Sequence, residues 1–178
     1  MTETERLLLR DWRDGDFEQF DRHTNTESVM RWLGGVRGRE DLLEIANRLR
    51  RWQAERGFTF WAVERKADGA FLGFCGLKIS DSPNGTVPGE LEIGWRFRED
   101  SWGRGYAREA AAACFDHAFQ TLRAERVVAI TVGGNEASWG LMLRLGMKRR
   151  PELDFDDPRF LVLNPAIVYV IEREEWKP

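Results

Sequence analysis

The sequence predicts a mixed α+β domain, in which a central sheet of about seven strands is flanked by about four helices. The elements follow the order βααβββαβαββ along the chain. Two β-rich segments around a turn predict a hairpin at 58–79, and the β-branched segment 126–132 is typical of a buried parallel strand. A hairpin and a parallel strand in one chain together predict a mixed sheet with helices on both faces.

Strands are predicted where β-branched and aromatic residues cluster between turn residues. In chain order they span 6–10, 58–64, 71–79, 89–97 and 126–132, with two more inside 147–174. The segment 81–88 is a loop by composition, because it is rich in Asp, Ser, Pro, Asn and Gly. Since no linker, low-complexity segment or internal repeat interrupts the chain, we expect one domain over residues 1–178.

Helices are predicted where apolar residues recur at spacings of three and four and capping residues flank them. In chain order they span 14–22, 39–55, 105–120 and 137–145. Asp14 or Asp16 is expected to cap the first helix with its side chain. Gly57 and Gly146 follow the second and fourth helices, where glycine commonly ends a helix.

The charge balance excludes some partners. The chain has 27 Lys and Arg against 30 Asp and Glu, so its net charge is −3, which argues against a nucleic-acid partner. No apolar run approaches the roughly 20 residues of a membrane span. The acidic N-terminus lacks the apolar region of a signal peptide. We therefore expect a cytoplasmic protein with no membrane partner.

Cysteine, histidine and tryptophan give further expectations. Cys75 and Cys114 lie in apolar neighbourhoods and are predicted to be buried, reduced thiols. His23 and His117 lack the spacing of metal ligands, so no metal site is predicted. The eight tryptophans are expected mostly in the core, although exposed ones would suit a homodimer.

The segment 90–110 indicates an anion site. It reads as a strand, a short loop with Gly103 and Gly105, and a helix. Glycines let a ligand approach the backbone, and the free N–H groups of a helix start suit a phosphate or pyrophosphate. Arg104 and Arg108 add positive charge. The Gly-Lys-Ser/Thr of a P-loop is absent, and Arg108 stands where a dinucleotide loop needs a third small residue. A tight helix entry without a ligand remains the alternative.

A second segment favours a ligand. Asn135-Glu-Ala-Ser138 follows the buried strand and precedes Leu145-Gly146-Met147. Together with Trp102-Gly-Arg-Gly105-Tyr-Ala107, it resembles the GNAT superfamily of acyl-CoA-dependent N-acyltransferases, and within it the RimJ/RimL-like branch. The resemblance covers nearly the whole chain from Thr4 onward. It implies the GNAT fold, with a mostly antiparallel sheet whose two central parallel strands splay apart to admit the cofactor.

The resemblance implies acetyl-CoA as co-substrate. Backbone amides from Gly103 to Arg108 would hold its pyrophosphate, and backbone groups of 95–97 would bind the acetyl carbonyl and the pantetheine arm. The Asn135 side chain would hydrogen-bond that arm; the alternative is that it only caps the following helix. The implied cofactor residues are Trp95, Arg96, Phe97, Trp102, Gly103, Arg104, Gly105, Tyr106, Ala107, Arg108 and Asn135.

Acyl transfer to an amine needs a proton acceptor, donors for the oxyanion and stabilisation of the leaving thiolate. Glu92, between apolar neighbours, is the candidate base with a raised pKa; a solvent-facing strand carboxylate is the alternative. The Trp95 N–H is the expected oxyanion donor. Many GNAT members place a tyrosine seven residues after the asparagine, but Met142 stands there. Ser138 is therefore the candidate donor to sulfur, unless it only caps or packs the helix.

The pocket for the amine acceptor is predicted from aromatic and acidic residues. Trp32, Trp61 and Trp139, with acidic residues between them, are expected to form an acidic aromatic cleft for a cationic amine. The branch often has Phe-Asp-His-Pro where this chain has Asp157 in place of the histidine, which leaves that position without a role.

The predicted function is N-acetylation of a primary amine, on a protein N-terminus or a small molecule. Neither cysteine adjoins the glycine loop, so direct transfer in a ternary complex is expected. The alternative is a GNAT domain that binds acyl-CoA without catalysis.

Overall fold

A computed structural model describes residues 2–177 and shows one mixed sheet flanked by helices. Within those residues the strands are β1 Thr2–Glu3, β2 Leu7–Arg10, β3 Phe60–Arg65, β4 Phe71–Ile79, β5 Leu91–Phe97, β6 Arg126–Val132, β7 Lys148–Arg149 and β8 Ala166–Glu172. The helices are α1 Asp16–Thr24, α2 Glu27–Met30, α3 Arg39–Arg56, α4 Tyr106–Asp116 and α5 Glu136–Arg144. The predicted fold class is confirmed, with one strand and one helix more than expected.

The strand order is β1-β2-β3-β4-β5-β6-β8-β7, and the only parallel neighbours in the described chain are β5 and β6. These two strands share one register pair in residues 2–177, Glu92 opposite Val128. By contrast, β6 pairs with β8 along its whole length, from Arg126 to Val132. The sheet is therefore split between β5 and β6 beyond Glu92, as the family resemblance implies.

Apolar side chains from alternate positions of the strands cover the two faces of the sheet. On one face, α1 and α3 pack on β3 and β4 through residues such as Phe20, Leu42 and Phe74. On the other, α4 packs on β2, β4 and β5, and α5 packs on β6. Cys75 and Cys114 meet in this second layer as free thiols with Sγ atoms 3.7 Å apart, and burial raises the pKa of Cys114. The prediction of buried, reduced cysteines is confirmed.

The first helix begins differently from the prediction. Gly15, at φ 92°, is the N-cap residue, and no side chain caps the helix, so capping by Asp14 or Asp16 is wrong. The Asp16 carboxylate is held elsewhere: it accepts from the Arg13 N–H at 2.7 Å and from both Nη atoms of Arg10, at 2.7 and 3.0 Å. Asp16 therefore stabilises the connection between β2 and α1 through a buried ion pair.

Replacement of Asp16 by asparagine is expected to lower the free energy of unfolding by about 3 kcal/mol, because it leaves the buried Arg10 guanidinium with Glu64 as its remaining carboxylate. Urea denaturation followed by circular dichroism measures the loss. Asp14→Asn is the matched control, since Asp14 is exposed and pairs with Arg50 at the surface, where ion pairs contribute less than about 1 kcal/mol. Equal losses in the two variants would contradict the role given to Asp16.

Candidate active site

A cleft of about 860 Å³ passes through the split between β5 and β6. Residues 92–97 of β5 line its middle. One end is formed by the start of α4 and by α5. The other end is formed by α2 and the loop after it, by Lys78 and Ser82, and by Arg159 and Phe160. Because it reaches both faces of the sheet, the cleft gives two ligands separate approaches to the same strand.

The entry to α4 is built from glycines in the left-handed conformation. Gly103 has φ 70° and Gly105, the N-cap residue, has φ 80°, and no side chain caps the helix. A Cβ at Gly103 would meet nothing within 4 Å, so the space above the loop is open. The backbone N–H groups at the start of α4 therefore face the cleft without an internal partner, as an anion site requires.

Arg6 and Glu109 fix this loop on β2. Arg6 donates through Nη1 to the Arg104 carbonyl at 3.0 Å, and its own N–H donates to the Glu109 carboxylate at 2.9 Å. The Arg6 guanidinium also lies 4.7 Å from the centre of the Tyr106 ring. These contacts hold the glycine loop against the residue that precedes β2.

The predicted cofactor residues divide into those that line the cleft and those that do not. The side chain of Arg104 is exposed and does not line it, so only its backbone remains as a candidate. Trp102 does line it, and its Nε1 donates to the Phe97 carbonyl at 2.9 Å. The other predicted residues all line the cleft: Trp95, Arg96, Phe97, Gly103, Gly105, Tyr106, Ala107, Arg108 and Asn135.

Asn135 and Ser138 lie at the start of α5 with free side chains. Asn135 occupies the N-cap position, but its side chain makes no capping hydrogen bond, so the alternative of a side-chain cap is wrong. Within the described chain, the Ser138 hydroxyl likewise makes no hydrogen bond to protein. Both residues line the cleft. They are free to hydrogen-bond a ligand there.

Glu92 lies at the point where the strands part, and only 9% of it is exposed. It is opposite Lys78 across β4 and β5, and the Lys78 Nζ lies 2.9 Å from its Oε2. Lys78 also donates to Asp81 at 2.6 Å. The expected apolar surroundings are therefore wrong: Leu91 and Ile93 belong to the core of the other face. Glu92 lines the cleft as a carboxylate paired with an ammonium.

The acceptor end differs from its prediction in both aromatic and charged residues. Trp61 is 1% exposed in the core and donates to Gln53, while Trp139 packs on the core and donates to the Gly133 carbonyl. Trp32 alone of the predicted three lines the cleft. The charged side chains lining this end are mostly basic: Arg31, Arg37, Lys78, Arg96 and Arg159, against Glu92. The expectation of an acidic cleft is wrong.

Asp157 orients one of these arginines. Its side chain is fully buried and accepts from the N–H and Nε of Arg159, both at 2.9 Å. Burial alone would raise the pKa of Asp157, but the hydrogen bonds and charge of Arg159 outweigh it and lower that pKa. Arg159 also donates to Ser82 at 2.8 Å. Sequence reasoning missed Arg159, and the unassigned Asp157 was the one signal that pointed to it.

These residues fit an acyl-CoA. The glycine entry leaves open space beside helix N–H groups, the Asn135 side chain is free, and the β5 edge beyond Glu92 lacks a strand partner. Arg108 and Arg144 line the same end, and in residues 2–177 neither pairs with a carboxylate. Unpaired guanidinium groups and helix N–H groups are the donors that phosphates require.

A sheet split beside a glycine-rich helix entry is the architecture of the acyl-CoA-dependent acyltransferases with the GNAT fold. The family model described as an acetyltransferase (GNAT) domain matches residues 6–148, so the chain belongs to this family.

Individual proteins are similar to this chain in sequence and in fold. The chain is 34% identical over 145 residues to the uncharacterized protein YkkB of Bacillus subtilis, covering 81% of this chain and 83% of that protein. It is 27% identical to the uncharacterized N-acetyltransferase YnaD of the same organism, covering 97% of each. The crystal structure of an acetyltransferase from Agrobacterium tumefaciens superposes with a TM-score of 0.81 at 26% identity, over 96% of this chain and 93% of that one.

Metal-binding clusters and membrane spans are both lacking from residues 2–177. No group of three or more His, Cys, Asp or Glu side chains is arranged to hold a metal ion in that part of the chain. Every helix there is too short or too polar to cross a lipid bilayer.

Proposed function

We propose that this protein is an acetyl-CoA-dependent N-acetyltransferase of the RimJ/RimL-like branch. It moves an acetyl group to a primary amine in the cytoplasm, by direct transfer within a ternary complex. The observation that carries the proposal is the cleft itself. It joins a glycine-rich helix entry at one end to Glu92 and a charged pocket at the other, across the split between β5 and β6.

The donor half of the site is made mainly of backbone. When bound, acetyl-CoA supplies an activated thioester. The N–H groups from Gly103 to Arg108 hold the pyrophosphate, and the backbone of 95–97 offers donors and acceptors to the extended pantetheine arm. Asn135 hydrogen-bonds the same arm through its free amide. The family uses acetyl-CoA, which makes acetyl the natural acyl group here.

The transfer step uses one proton acceptor and two hydrogen-bond donors. Glu92 accepts the proton of the attacking amine, directly or through water, from its position in the cleft at the split. The Trp95 N–H donates to the oxyanion, and the Ser138 hydroxyl donates to the leaving sulfur. Cys75 and Cys114 are both enclosed in the core, which supports transfer without an acetyl-cysteine.

Two measurements test this proposal. Isothermal titration calorimetry with acetyl-CoA is expected to show binding in the micromolar range, and a thiol-release assay over a panel of amines and peptides is expected to show turnover with at least one of them. Binding without turnover on any amine would favour the non-catalytic binding domain instead. Absence of binding at tens of micromolar acetyl-CoA would contradict both.

A further inference from the structure

The acceptor end of the cleft contains an arginine without a partner. Arg96 lies on β5, on the same face as Glu92, and its guanidinium packs between the rings of Phe20 and Phe74, at 5.1 and 5.3 Å from their centres. Its Nε and Nη1 are inaccessible to solvent and make no hydrogen bond within residues 2–177. No carboxylate in that part of the chain lies within ion-pair distance of it. Arg96 nevertheless lines the cleft.

Such an arrangement is costly in a protein without a ligand. The enclosed Nε and Nη1 donors of Arg96 lose their hydration and find no acceptor in return, while the residue as a whole is half-buried. Burial, with a smaller contribution from Arg37, lowers the pKa of Arg96 to about 10, so the group stays charged at neutral pH. An anion that enters the cleft would supply the missing acceptor atoms.

The neighbouring charges reinforce this preference. Arg37 also lines the cleft and has a buried Nε without a partner, and Arg31 lies over the Trp32 ring at 4.9 Å. In the described chain neither forms an ion pair. Of the remaining charges, Glu92 and Asp81 share Lys78, and Arg159 pairs with Asp157, which leaves one negative charge against the three arginines Arg31, Arg37 and Arg96. The unbalanced charge is therefore positive, which repels polyamines and attracts an anionic acceptor.

The spacing along β5 sets the shape of that acceptor. Glu92 and Arg96 are four residues apart on one face, so their Cα atoms are about 13 Å apart. Between them the Phe60 ring covers Gly94, where a Cβ would lie 2.7 Å from the Phe60 Cζ. A molecule that reaches both residues must therefore pass beside an aromatic ring, and several bonds must separate its two ends.

We infer that the acceptor is a primary amine that also bears a carboxylate, with the amine toward Glu92 and the carboxylate on the Arg96 guanidinium beside Arg37. This inference rests on the proposed acetyltransferase function and names the substrate class of the same site. The carboxylate belongs either to a small amino acid with a separated amine or to a short acidic peptide, and the guanidinium recognises both in the same way.

The test compares acceptors that differ only in charge. The thiol-release assay is run with β-alanine, γ-aminobutyrate and ε-aminocaproate, each against its carboxamide, and with glycyl-aspartate against glycyl-asparagine as the peptide arm. For the preferred acceptor, the kcat/KM of the acid is expected to exceed that of its amide by about tenfold or more, as for a hydrogen bond to a charged group. The arm with the larger ratio identifies the source of the carboxylate.

Arg96→Met is expected to bring this ratio close to one, and Arg96→Lys to retain part of it. The ratio is the readout because it cancels any general loss of activity in the variants. Arg108→Met is the matched control: it removes an unpaired arginine from the other end of the cleft, so it should raise the KM for acetyl-CoA and leave the acid-to-amide ratio unchanged.

Calorimetric binding of the same acids to the CoA-saturated protein tests the anion site without turnover. Binding to the wild type that is lost in Arg96→Met supports the inference. Amides or spermidine that bind or react as well as the acids would overturn it while leaving the acetyltransferase function standing. Conversely, acids that bind through Arg96 without any thiol release would support the anion site and contradict the catalytic proposal.

Discussion

Replacement of Gly105 by glutamate is expected to weaken acetyl-CoA binding about 100-fold or more, through like-charge repulsion of several kcal/mol at the pyrophosphate. Gly105 has φ 80°, which a residue with a Cβ adopts at a cost, and its Cβ would lie 3.4 Å from the Arg6 Nη2. The larger effect comes from placing a carboxylate at the start of α4, where the helix otherwise favours an anion. Isothermal titration calorimetry measures the loss directly.

Gly69→Glu is the matched control for this variant. Gly69 has φ 70°, so the substitution strains the backbone in the same way, but it lies in the turn between β3 and β4 with nothing within 4 Å of its Cβ. The control should bind acetyl-CoA as the wild type does. Thermal melts of both variants separate a folding defect from a binding defect. If both lost affinity equally, the glycine entry would not be the anion site.

Glu92→Gln is expected to lower kcat by about 100-fold to 10,000-fold, the usual contribution of a positioned general base. Glutamine keeps the size of the side chain but cannot accept the proton of the amine. Because Glu92 lies beyond the donor end, the KM for acetyl-CoA should stay near the wild-type value. Steady-state kinetics with a saturating amine make the measurement.

Glu90→Gln provides the comparison. Glu90 lies two residues earlier, pairs with Arg126 and does not line the cleft. Its replacement should leave kcat within about threefold of wild type, as expected for a surface ion pair. A similarly small effect from Glu92→Gln would mean that the Glu92–Lys78 pair holds β4 and β5 together and that water alone removes the proton.

Local patterns in the sequence predicted most of the elements. The β-branched segment 126–132 became β6 with the predicted bounds, and helix 39–55 was extended by one residue, to Arg56, before its glycine cap. The short elements were missed, because α2 has four residues and β1 has two, too few for a periodic pattern. The prediction of a side-chain cap on α1 was wrong because the ion pair with Arg10 holds the Asp16 carboxylate.

The lining of the cleft was predictable where its residues are neighbours in the chain, as in the glycine entry and the Asn135 segment. It was not predictable where side chains meet across strands. Lys78 faces Glu92 only because of the register of β4 and β5, and no local pattern reveals such a pair. The same register places Arg96 against Phe74, a side-chain contact that the family resemblance, which implied a backbone role for Arg96, did not indicate. Trp61 entered the core because its strand has both faces covered.

The parting of β5 and β6 leaves each strand with an unpaired backbone edge inside the molecule. Exposed edges on the outside of a sheet recruit strands of other chains and invite aggregation. Here the start of α4 and the α5 helix flank the gap between the two strands, which leaves room for a narrow, extended ligand. The unpaired edge of β5 can therefore pair with an extended ligand in the cleft, whereas strands of other protein chains cannot reach it.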